Sequence, residues 1–518
     1  MKKHIVLSAG ALLSIAMPVM AEETGTATMV LEPVTVTANK REQEQDKVDG
    51  SVSVRTAEDL KAAGVNTVAD LEKVFTGLQI RSRGSSAYAN VSVRGVTSPD
   101  FYNPAVQIYV DGVPQSSSHF VQTLMDAERV ELLRGPQGTL YGSNAYGGVI
   151  NIITRKTEQA SGKVAAGFAT RGQSTDASAT TPIIPDMLYG DVAVSSSWRD
   201  GRIDDATSGE KDVDDSVDRN GRVRLRYAPK GGPLSITVSG QRETLHSNEE
   251  VVVANVHDLT SKSSVYAKPR LDKTVDTFAL GADYRLGGGT LSSVTSYQDL
   301  TLDRFAYGMV QPEEQTTFSQ ELRYAFGQGG SLSGVVGGFF QNSDFDRHTD
   351  PYQGWFGASD NTIKTRSLAL FGEATYAVTK QVDLTGGMRY SHDRSEIDFR
   401  RASSGVAGFA FNNDADFDSV TPKVALGWQA TPDHRLYAQV SRGYKPGGFN
   451  HAVTIADDAK GYDPETSTNW ELGWHGAMLD RRIQANVAAY WIAAEDKQIY
   501  INAPGSTFPG PAQHGRIP

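Results

Sequence analysis

From Gly162 onward, apolar and polar residues alternate along segments of about ten residues that are separated by turn residues. In one segment Val223, Leu225 and Tyr227 alternate with arginines, and Thr277–Arg285 alternates in the same way. Side chains of a strand point alternately to its two faces, so each segment predicts a strand with one apolar face. A soluble β-sandwich alternates too, but so many arginines on one face require water there. The pattern favours an antiparallel barrel with lipid outside and a wet lumen.

The connections between the predicted strands alternate in length. The short turns are Pro229–Gly232, Leu286–Gly289, Gly327–Gly330, Val378–Gln381, Thr431–His434 and Met478–Arg481. The long loops are His246–Lys273, Asp346–Ile363, Arg400–Ala415 and Pro446–Thr466. This asymmetry is typical of outer-membrane barrels, whose short turns face the periplasm. It predicts about 15 strands between Lys163 and Tyr500, provided that Ser174–Ile184 is itself a strand. Aromatic residues suited to interface girdles stand at strand ends: Trp198, Tyr227, Tyr390, Trp428, Tyr490 and Trp491.

Residues 1–21 have the features of a secretory signal peptide. Lys2 and Lys3 form a basic start, Ile5–Met20 is apolar, and Val19-Met20-Ala21 offers a small-residue cleavage site. A transmembrane anchor is the alternative, but the apolar stretch is short and no stop-transfer pattern follows. No other run of about 18 apolar residues exists, so a membrane protein with this sequence has to cross as a closed barrel.

The segment Arg129–Lys156 does not follow the alternating pattern of the predicted barrel strands. It has two apolar runs around a glycine-rich centre. The runs Val130–Leu133 and Val149–Ile153 predict two strands joined by tight turns. A phosphate-binding loop would need Gly-Lys-Ser/Thr opening a helix, and that pattern is missing. We therefore interpret the glycines as positions of tight packing in a small buried domain.

This small domain is predicted to span residues 39–156 and to be mixed α/β. Residues 39–50 form a charged linker. Thr56 with Asp59, and Thr67 with Asp70, have capping-box spacing and predict two short helices. Asp111-Gly112 between apolar runs predicts a hairpin turn.

Composition narrows the function further. The 518 residues include no cysteine, which excludes disulfides and a lipoprotein anchor. Lys plus Arg number 50 against 61 Asp plus Glu, a net charge of −11, which argues against a nucleic-acid partner. The ten histidines show no HExxH spacing, and Ser143 is not in a nucleophile elbow. We expect no enzyme activity, no catalytic residues and no metal-ligating residues.

Three motifs carry a resemblance to a known family: VSVRGV (Val91–Val96), FYNPAVQIYVDGVP (Phe101–Pro114) and the LRGPQGTLYG…GGVINI run. In order and spacing they resemble the plug domain of TonB-dependent outer-membrane receptors. FYNPAVQIYVDGVPQ is most similar to the ferric-yersiniabactin/pesticin receptor type. The resemblance implies a β-barrel membrane protein in a Gram-negative outer membrane, with barrel residues 162–501 and plug residues 39–156 inside the lumen.

The run Leu31–Ala38 alternates Val34 and Val36 with threonines and stands apart from any partner run. An unpaired strand can add itself to the sheet edge of another protein. At this position the run resembles a TonB box, which a TonB-type energy transducer grips. Its residues are Glu32, Pro33, Val34, Thr35, Val36 and Thr37. The alternative is an ordinary first strand of the plug.

Arg94 and Arg134 each follow an apolar strand and precede a glycine. In the family, plug arginines at such sites pair with barrel glutamates and lock the plug to the wall. The matching glutamates here are Glu321, in TFSQELRYAF, and Glu471, in STNWELGW. Surface ion pairs are the alternative for both arginines.

A ligand entering from outside would meet the apex loops 81–90, 97–103 and 115–120. Aromatic faces and cations suit an anionic, ring-bearing iron chelate. The candidate ligand residues are Arg81, Arg83, Tyr88, Phe101 and Tyr102. Generic loop residues are the alternative. The resemblance implies a ferric siderophore that coordinates its own iron, so no cofactor is expected, and it adds outer-membrane lipid and a bacteriocin as partners of a monomer.

Other functions stay open at this stage. The same machine could carry cobalamin or a carbohydrate, because fold alone does not fix cargo. A passive porin would lack the plug, and an outer-membrane enzyme or adhesin would need residues that we do not find. Plugged transporters have about 22 strands, and residues 502–518 contain Pro504, Pro509 and Pro511, which suit no barrel strand. The sequence alone therefore predicts a receptor truncated at its C-terminus, with a non-functional chain as a further alternative.

Overall fold

The structure is a computed structural model, and two β-rich units make up the residues that it describes. The described residues are 35–82, 86–248, 251, 253–255, 259–262, 268–306, 308–327, 329–351, 357–453, 455–500 and 514–517. The predicted signal peptide, the first residues of the predicted TonB box (Glu32, Pro33 and Val34) and Arg83 lie outside them. No helix among these residues has both the length and the apolarity needed to cross a membrane.

The N-terminal unit contains ten short strands and two short α-helices. The strands are β1 (Thr35–Val36), β2 (Gln43–Glu44), β3 (Val52–Thr56), β4 (Leu78–Ser82), β5 (Ala89–Val93), β6 (Val96–Thr97), β7 (Val106–Val110), β8 (Val113–Pro114), β9 (Ala127–Arg134) and β10 (Gly148–Thr154). The helices are α1 (Ala57–Ala62) and α2 (Gly138–Tyr141), with 3-10 helices at Gln45–Lys47, Ala69–Lys73 and Ser117–Val121. Thr56 and Asp59 form the predicted capping box of α1.

The main sheet of this unit has the order β3-β9-β10-β7-β8, and β4, β5 and β6 form a second sheet. Strands β9 and β10 contain the two predicted apolar runs and pair antiparallel. The predicted hairpin at Asp111-Gly112 is confirmed, with both residues at positive φ. Buried aliphatic side chains from both sheets pack into one core around Val130, Leu132 and Ile150.

The glycine-rich centre between β9 and β10 contains helix α2, so the prediction of tight turns alone is wrong. This helix packs against the wall of the second unit. A Cβ on Gly138 would lie 2.9 Å from the Arg442 carbonyl oxygen, and a Cβ on Gly142 would lie 2.6 Å from the Arg389 guanidinium. Glycine is therefore required at Gly138 for close approach to the wall backbone, and at Gly142 also by its φ of 81°, as the packing interpretation predicted.

The second unit is a sheet whose long strands follow one another in chain order. Its fifteen-strand path consists of β11 (Ser161–Ala169), β12 (Gly172–Ile184), β13 (Leu188–Arg199), β15 (Ser216–Tyr227), β16 (Leu234–Ser247), β19 (Arg270–Leu286), β20 (Gly289–Ala306), β22 (Glu313–Phe326), β23 (Leu332–Thr349), β24 (Ser359–Ala377), β25 (Val382–Arg401), β26 (Phe409–Thr431), β27 (His434–Lys445), β28 (Glu465–Met478) and β29 (Ile483–Glu495). Successive strands are antiparallel, and β12 covers the segment Ser174–Ile184 on which the strand count depended.

Small strands complete the described structure. They are β14 (Asp204–Asp205), β17 (Val253–Asn255), β18 (Thr260–Ser261) and β21 (Met309–Val310), followed by β30 (Lys497–Tyr500) and β31 (His514–Ile517). Strand β21 pairs with β20 and makes the sheet sixteen-stranded. Strands β30 and β31 form a separate two-stranded sheet, so Lys497–Tyr500 is not part of the barrel sheet to which the sequence assigned it. A 3-10 helix, Ala456–Lys460, lies between β27 and β28.

The alternation of the sequence maps onto the two faces of the barrel sheet. Val223 is 65% exposed on the outer face, whereas its neighbour Arg224 is 2% exposed on the inner face. All six predicted short turns join consecutive strands. Tyr490 is a correction: its ring faces the plug and not an interface girdle, with Arg94 stacked 4.1 Å from the ring centroid. Consecutive residues of a strand face opposite ways, so Tyr490 and Trp491 cannot both meet lipid.

Candidate functional site

The two units are held together by buried ion pairs, and Arg94 forms one of them. Arg94 follows β5 at positive φ in the turn to β6. Its guanidinium forms an ion pair with Glu471 of β28, and the two side chains are 4% and 0% exposed. The Tyr437 hydroxyl donates to the second carboxylate oxygen of Glu471 at 2.6 Å. A charge pair that is also hydrogen-bonded satisfies a carboxylate that burial would otherwise penalise.

Arg134 lies near this pair but bonds within its own domain. Its guanidinium donates to the Ser53 hydroxyl at 2.6 Å and to the Thr76 carbonyl oxygen at 3.0 Å. Burial, with the positive charge of Arg94 nearby, lowers the pKa of Arg134 to about 10. The expected direct pairing of Arg134 with a barrel glutamate is therefore wrong, because its guanidinium bonds to oxygens of the plug instead.

Glu321 of β22 pairs with a residue that the sequence did not single out. Its carboxylate forms an ion pair with Lys40 and accepts from Arg323 at 2.7 Å. Lys40 also lies over the Tyr141 ring, 4.9 Å from its centroid. Burial lowers the pKa of Lys40 to about 8, and the charge of Glu321 opposes that shift. Glu321 thus contacts the wall-facing N-terminal segment and neither of the predicted arginines.

The segment Asn39–Gly50, predicted as a charged linker, is fastened to the wall at further points. Arg41 donates to the side chains of Ser333 and Thr375 at 2.7 and 3.0 Å. Arg435 of β27 donates to Asp49 at 2.7 Å and to Asp383 at 2.8 Å. We call this segment the strap. Lys40, Arg41 and Asp49 have wall partners 281 to 386 residues away in sequence, so no local pattern could have indicated them.

The described end of the predicted TonB box is not free. Thr35 and Val36 pair antiparallel with Glu44 and Gln43 of the strap. The Thr37 N–H donates to the Glu131 carboxylate at 3.1 Å, and Val36 is fully buried. The expectation of a run without any partner in the chain is wrong for these residues, because the strap folds back and supplies a short strand.

Three predicted ligand residues form one aromatic cluster at the plug apex. Tyr88, Phe101 and Tyr102 have ring centroids 4.6–4.8 Å apart. The hydroxyls of Tyr88 and Tyr102 donate to Glu313 at 2.6 and 2.7 Å. Glu313 begins β22, whose other end leads to the short turn after Phe326, so the cluster lies at the long-loop end of the barrel. Burial raises the pKa of both tyrosines well above the usual range, so the hydroxyls stay protonated donors.

The barrel contributes rings to the same cluster, and these residues were missed by the sequence argument. Phe345 of β23 and His451 of the loop after β27 both contact Tyr102. A cavity of about 190 Å³ lies between plug and wall, and Tyr102, Phe345 and His451 line it. Arg81 does not line this cavity and pairs with Glu72 at 2.7 Å. Aromatic rings facing a polar cavity can bind a ring-bearing ligand.

The structure combines a barrel of strands with an α/β domain that fills it. Buried ion pairs join the two units, and a cavity lies at the long-loop end. These features define a plugged outer-membrane receptor. Comparison with known families agrees. Residues 44–149 match the TonB-dependent receptor plug domain, and residues 198–515 match the TonB-dependent receptor-like β-barrel. This chain belongs to the TonB-dependent receptors of the outer membrane.

Individual relatives extend this result. The chain is 32% identical over 489 residues to the pesticin receptor of Yersinia enterocolitica, covering 91% of this chain and 72% of that protein. The solved ferric yersiniabactin uptake receptor of Yersinia pestis superimposes with a TM-score of 0.82 at 30% identity, covering 87% of this chain and 73% of that one. The alcaligin receptor of Bordetella pertussis, at 16% identity and a TM-score of 0.69, covering 93% of this chain and 77% of that one, shares the fold. These relatives are named as receptors, not as enzymes.

Proposed function

We propose that this receptor imports a ferric siderophore of the phenolate-thiazoline type, energised by a TonB-type transducer. The observation that carries the proposal is the aromatic cluster around Tyr102, which borders a cavity at the long-loop end. Aromatic faces stack on planar ligand rings, and the lining amide and hydroxyl groups of Gln115, Gln341 and Ser343 can bind polar edges. The likeness to receptors for pesticin and ferric yersiniabactin supports this cargo class.

In this proposal Tyr102 contacts the cargo, and Tyr88 and Phe101 pack against Tyr102 without lining the cavity. Arg81 supports the plug through Glu72. The siderophore holds the iron through its own donors, so the protein needs no metal ligand of its own. Among the described residues no group of three or more His, Cys, Asp or Glu side chains could hold a metal ion. A bacteriocin that uses the same receptor is a second proposed partner, supported by the pesticin receptor relative.

Transport also requires that the plug yield to force applied at residues 32–37. We propose that the transducer displaces the short β1–β2 pairing and adds its own strand to the box. The Arg94–Glu471 and Lys40–Glu321 pairs would then be the attachments that resist the force. Ion pairs suit that role because water can replace them once they separate.

Titration of the purified full chain with ferric yersiniabactin, with a ferric catecholate and with cobalamin tests the cargo. Quenching of the six tryptophans reports binding. We expect the tightest binding for ferric yersiniabactin, and Tyr102→Ala should weaken it more than Arg81→Ala, which leaves the cavity intact. Tighter binding of cobalamin than of any ferric chelate would refute the proposal. Growth on single iron sources, with and without the intact gene, gives the same answer in cells.

A further inference from the structure

His451 is the barrel residue in closest aromatic contact with the plug apex. Its ring stacks on Tyr102 with centroids 4.5 Å apart and planes 9° apart, and it meets Phe345 edge-on at 4.8 Å. The same ring lines the cavity. The imidazole therefore bridges plug, wall and cavity at one point.

The backbone around His451 is fixed by contacts that do not use its ring. The His451 carbonyl oxygen accepts from Asn361 Nδ2 at 3.0 Å. The neighbouring Asn450 side chain donates to Asp458 at 2.7 Å, and Phe449 is buried among barrel aromatics. These contacts fix the backbone of the loop and do not use the imidazole ring.

One nitrogen of the His451 ring is an unsatisfied polar atom. Its Nδ1 atom is buried and has no hydrogen-bond partner among the described residues. Burial lowers the pKa of His451, so the imidazole is neutral near pH 7, with one nitrogen that donates and one that accepts. Buried polar atoms are nearly always paired in folded proteins, so an unpaired one in a ring that lines a cavity calls for an explanation.

We infer that His451 is a specificity-determining residue of the cargo site and that its imidazole hydrogen-bonds to an oxygen of the bound chelate. The inference rests on the proposed function and names the wall residue that selects among ferric chelates. The aromatic cluster supplies the stacking surface, and His451, which is stacked on Tyr102, adds a directional contact. A phenolate oxygen is the matching group, because it lies in the plane of a ring that can stack on the same cluster.

Three variants of the full chain test the inference, with ferric yersiniabactin as the probe. His451→Phe keeps a ring of similar size for stacking and removes both nitrogens, so we expect about tenfold weaker binding. His451→Gln keeps a polar group and should recover part of that loss. The control is His348→Phe, at an exposed histidine near the same rim whose Nδ1 already bonds Asp360 at 2.7 Å; its binding should not change.

Each result has one meaning. Wild-type affinity in His451→Phe would overturn the inference and leave the proposed cargo standing. Equal losses in His451→Phe and His451→Gln, with wild-type heat-modifiability on a gel, would also overturn it, because a polar group at this position would then recover no binding. If the wild-type chain binds no ferric siderophore, the proposed function itself fails. If the His451→Phe chain does not fold, the binding of His451→Gln and His451→Asn is compared with that of the wild type instead. Both variants should bind more weakly, and wild-type affinity in both would overturn the inference.

Discussion

Arg435 and Asp49 fasten the strap to the barrel wall close to the short-turn end. Arg435 Nε and Nη2 both donate to one oxygen of Asp49, at 3.0 and 2.7 Å, and the two side chains are almost fully buried. Asp383 shares the same guanidinium at 2.8 Å. One cation therefore serves two carboxylates, one from the plug and one from the wall. Burial of Asp49 beside this shared cation makes the site sensitive to pH.

Acidification should strengthen this attachment. Burial raises the pKa of Asp49 to about 6, Asp383 adds to the rise, and Arg435 opposes it. The unfolded chain has an Asp pKa near 3.9, so the folded state binds more protons between about pH 4 and pH 6. The free energy of plug unfolding should therefore rise as pH falls through 6. Asp49→Asn should remove this dependence, because the amide does not titrate.

The chain has no cysteine, which makes a site-specific reporter simple. A fluorophore on Glu58→Cys, an exposed position of α1, would follow urea unfolding of the plug at pH 5 and pH 7.5. The matched control is Asp46→Asn in the same strap, which should keep the wild-type pH dependence. Compared with Asp49→Asn, the urea midpoint of the wild-type chain should increase from pH 7.5 to pH 5. A decrease relative to that variant would contradict the prediction.

The buried pair between Lys40 and Glu321 should stabilise the plug more than the surface pairs of the same segment do. Glu321→Gln leaves Lys40 buried without a counter-charge, which we expect to cost about 3–5 kcal/mol of plug stability. Lys47→Met breaks the exposed pair with Glu44 and should cost less than about 1 kcal/mol. The labelled chain in urea measures both. Similar losses in the two variants would show that the buried pair is not a main attachment.

The fold could be predicted from the sequence because its signals are local. Val223 and Arg224 are adjacent, and their opposite faces follow from strand geometry alone. Likewise Thr56 and Asp59 cap α1 from within four residues, and Asp111-Gly112 sets a hairpin. Periodicity and turn chemistry are enough to predict such features.

The wall contacts of the plug could not be predicted in this way. Lys40 meets Glu321 across 281 residues and Asp49 meets Arg435 across 386. From the sequence alone, each of these charged residues cannot be distinguished from a solvated residue of a linker or of the lumen surface. Arg94 and Glu471 were proposed only through resemblance, and the same resemblance failed for Arg134, whose guanidinium bonds to Ser53 and Thr76. His451 gave no signal, because a loop histidine becomes informative only beside Tyr102.

Removal of Arg94 should weaken the plug more than removal of a solvent-exposed arginine. Arg94→Met leaves the Glu471 carboxylate buried with the Tyr437 hydroxyl as its one remaining side-chain donor among the described residues, and it loses the stacking on Tyr490. We expect a loss of about 3–5 kcal/mol in the urea titration. Arg81→Met is the control, because its pair with Glu72 is largely exposed and should contribute about 1 kcal/mol or less. Adding Glu471→Gln to Arg94→Met should restore part of the loss, and a further full loss would rule out a direct pair.

Proline substitutions in the predicted TonB box should separate energy coupling from plug stability. Proline at Val34 removes a backbone donor and disturbs the strand that a transducer would pair with, so uptake of the ferric siderophore should stop while binding persists. Val36 is fully buried against the plug core beside Val149, so proline there should also destabilise the plug.

Uptake of radioactive iron by cells, tryptophan quenching of the purified chain and the urea titration measure the three effects on each variant. We expect Val34→Pro to lose uptake, and Val36→Pro to lose uptake and stability together because Val36 belongs to the packed core. Val34→Ala keeps the N–H and serves as the control with normal uptake. Unchanged uptake in Val34→Pro would mean that force reaches the strap and the Lys40–Glu321 pair from some other segment.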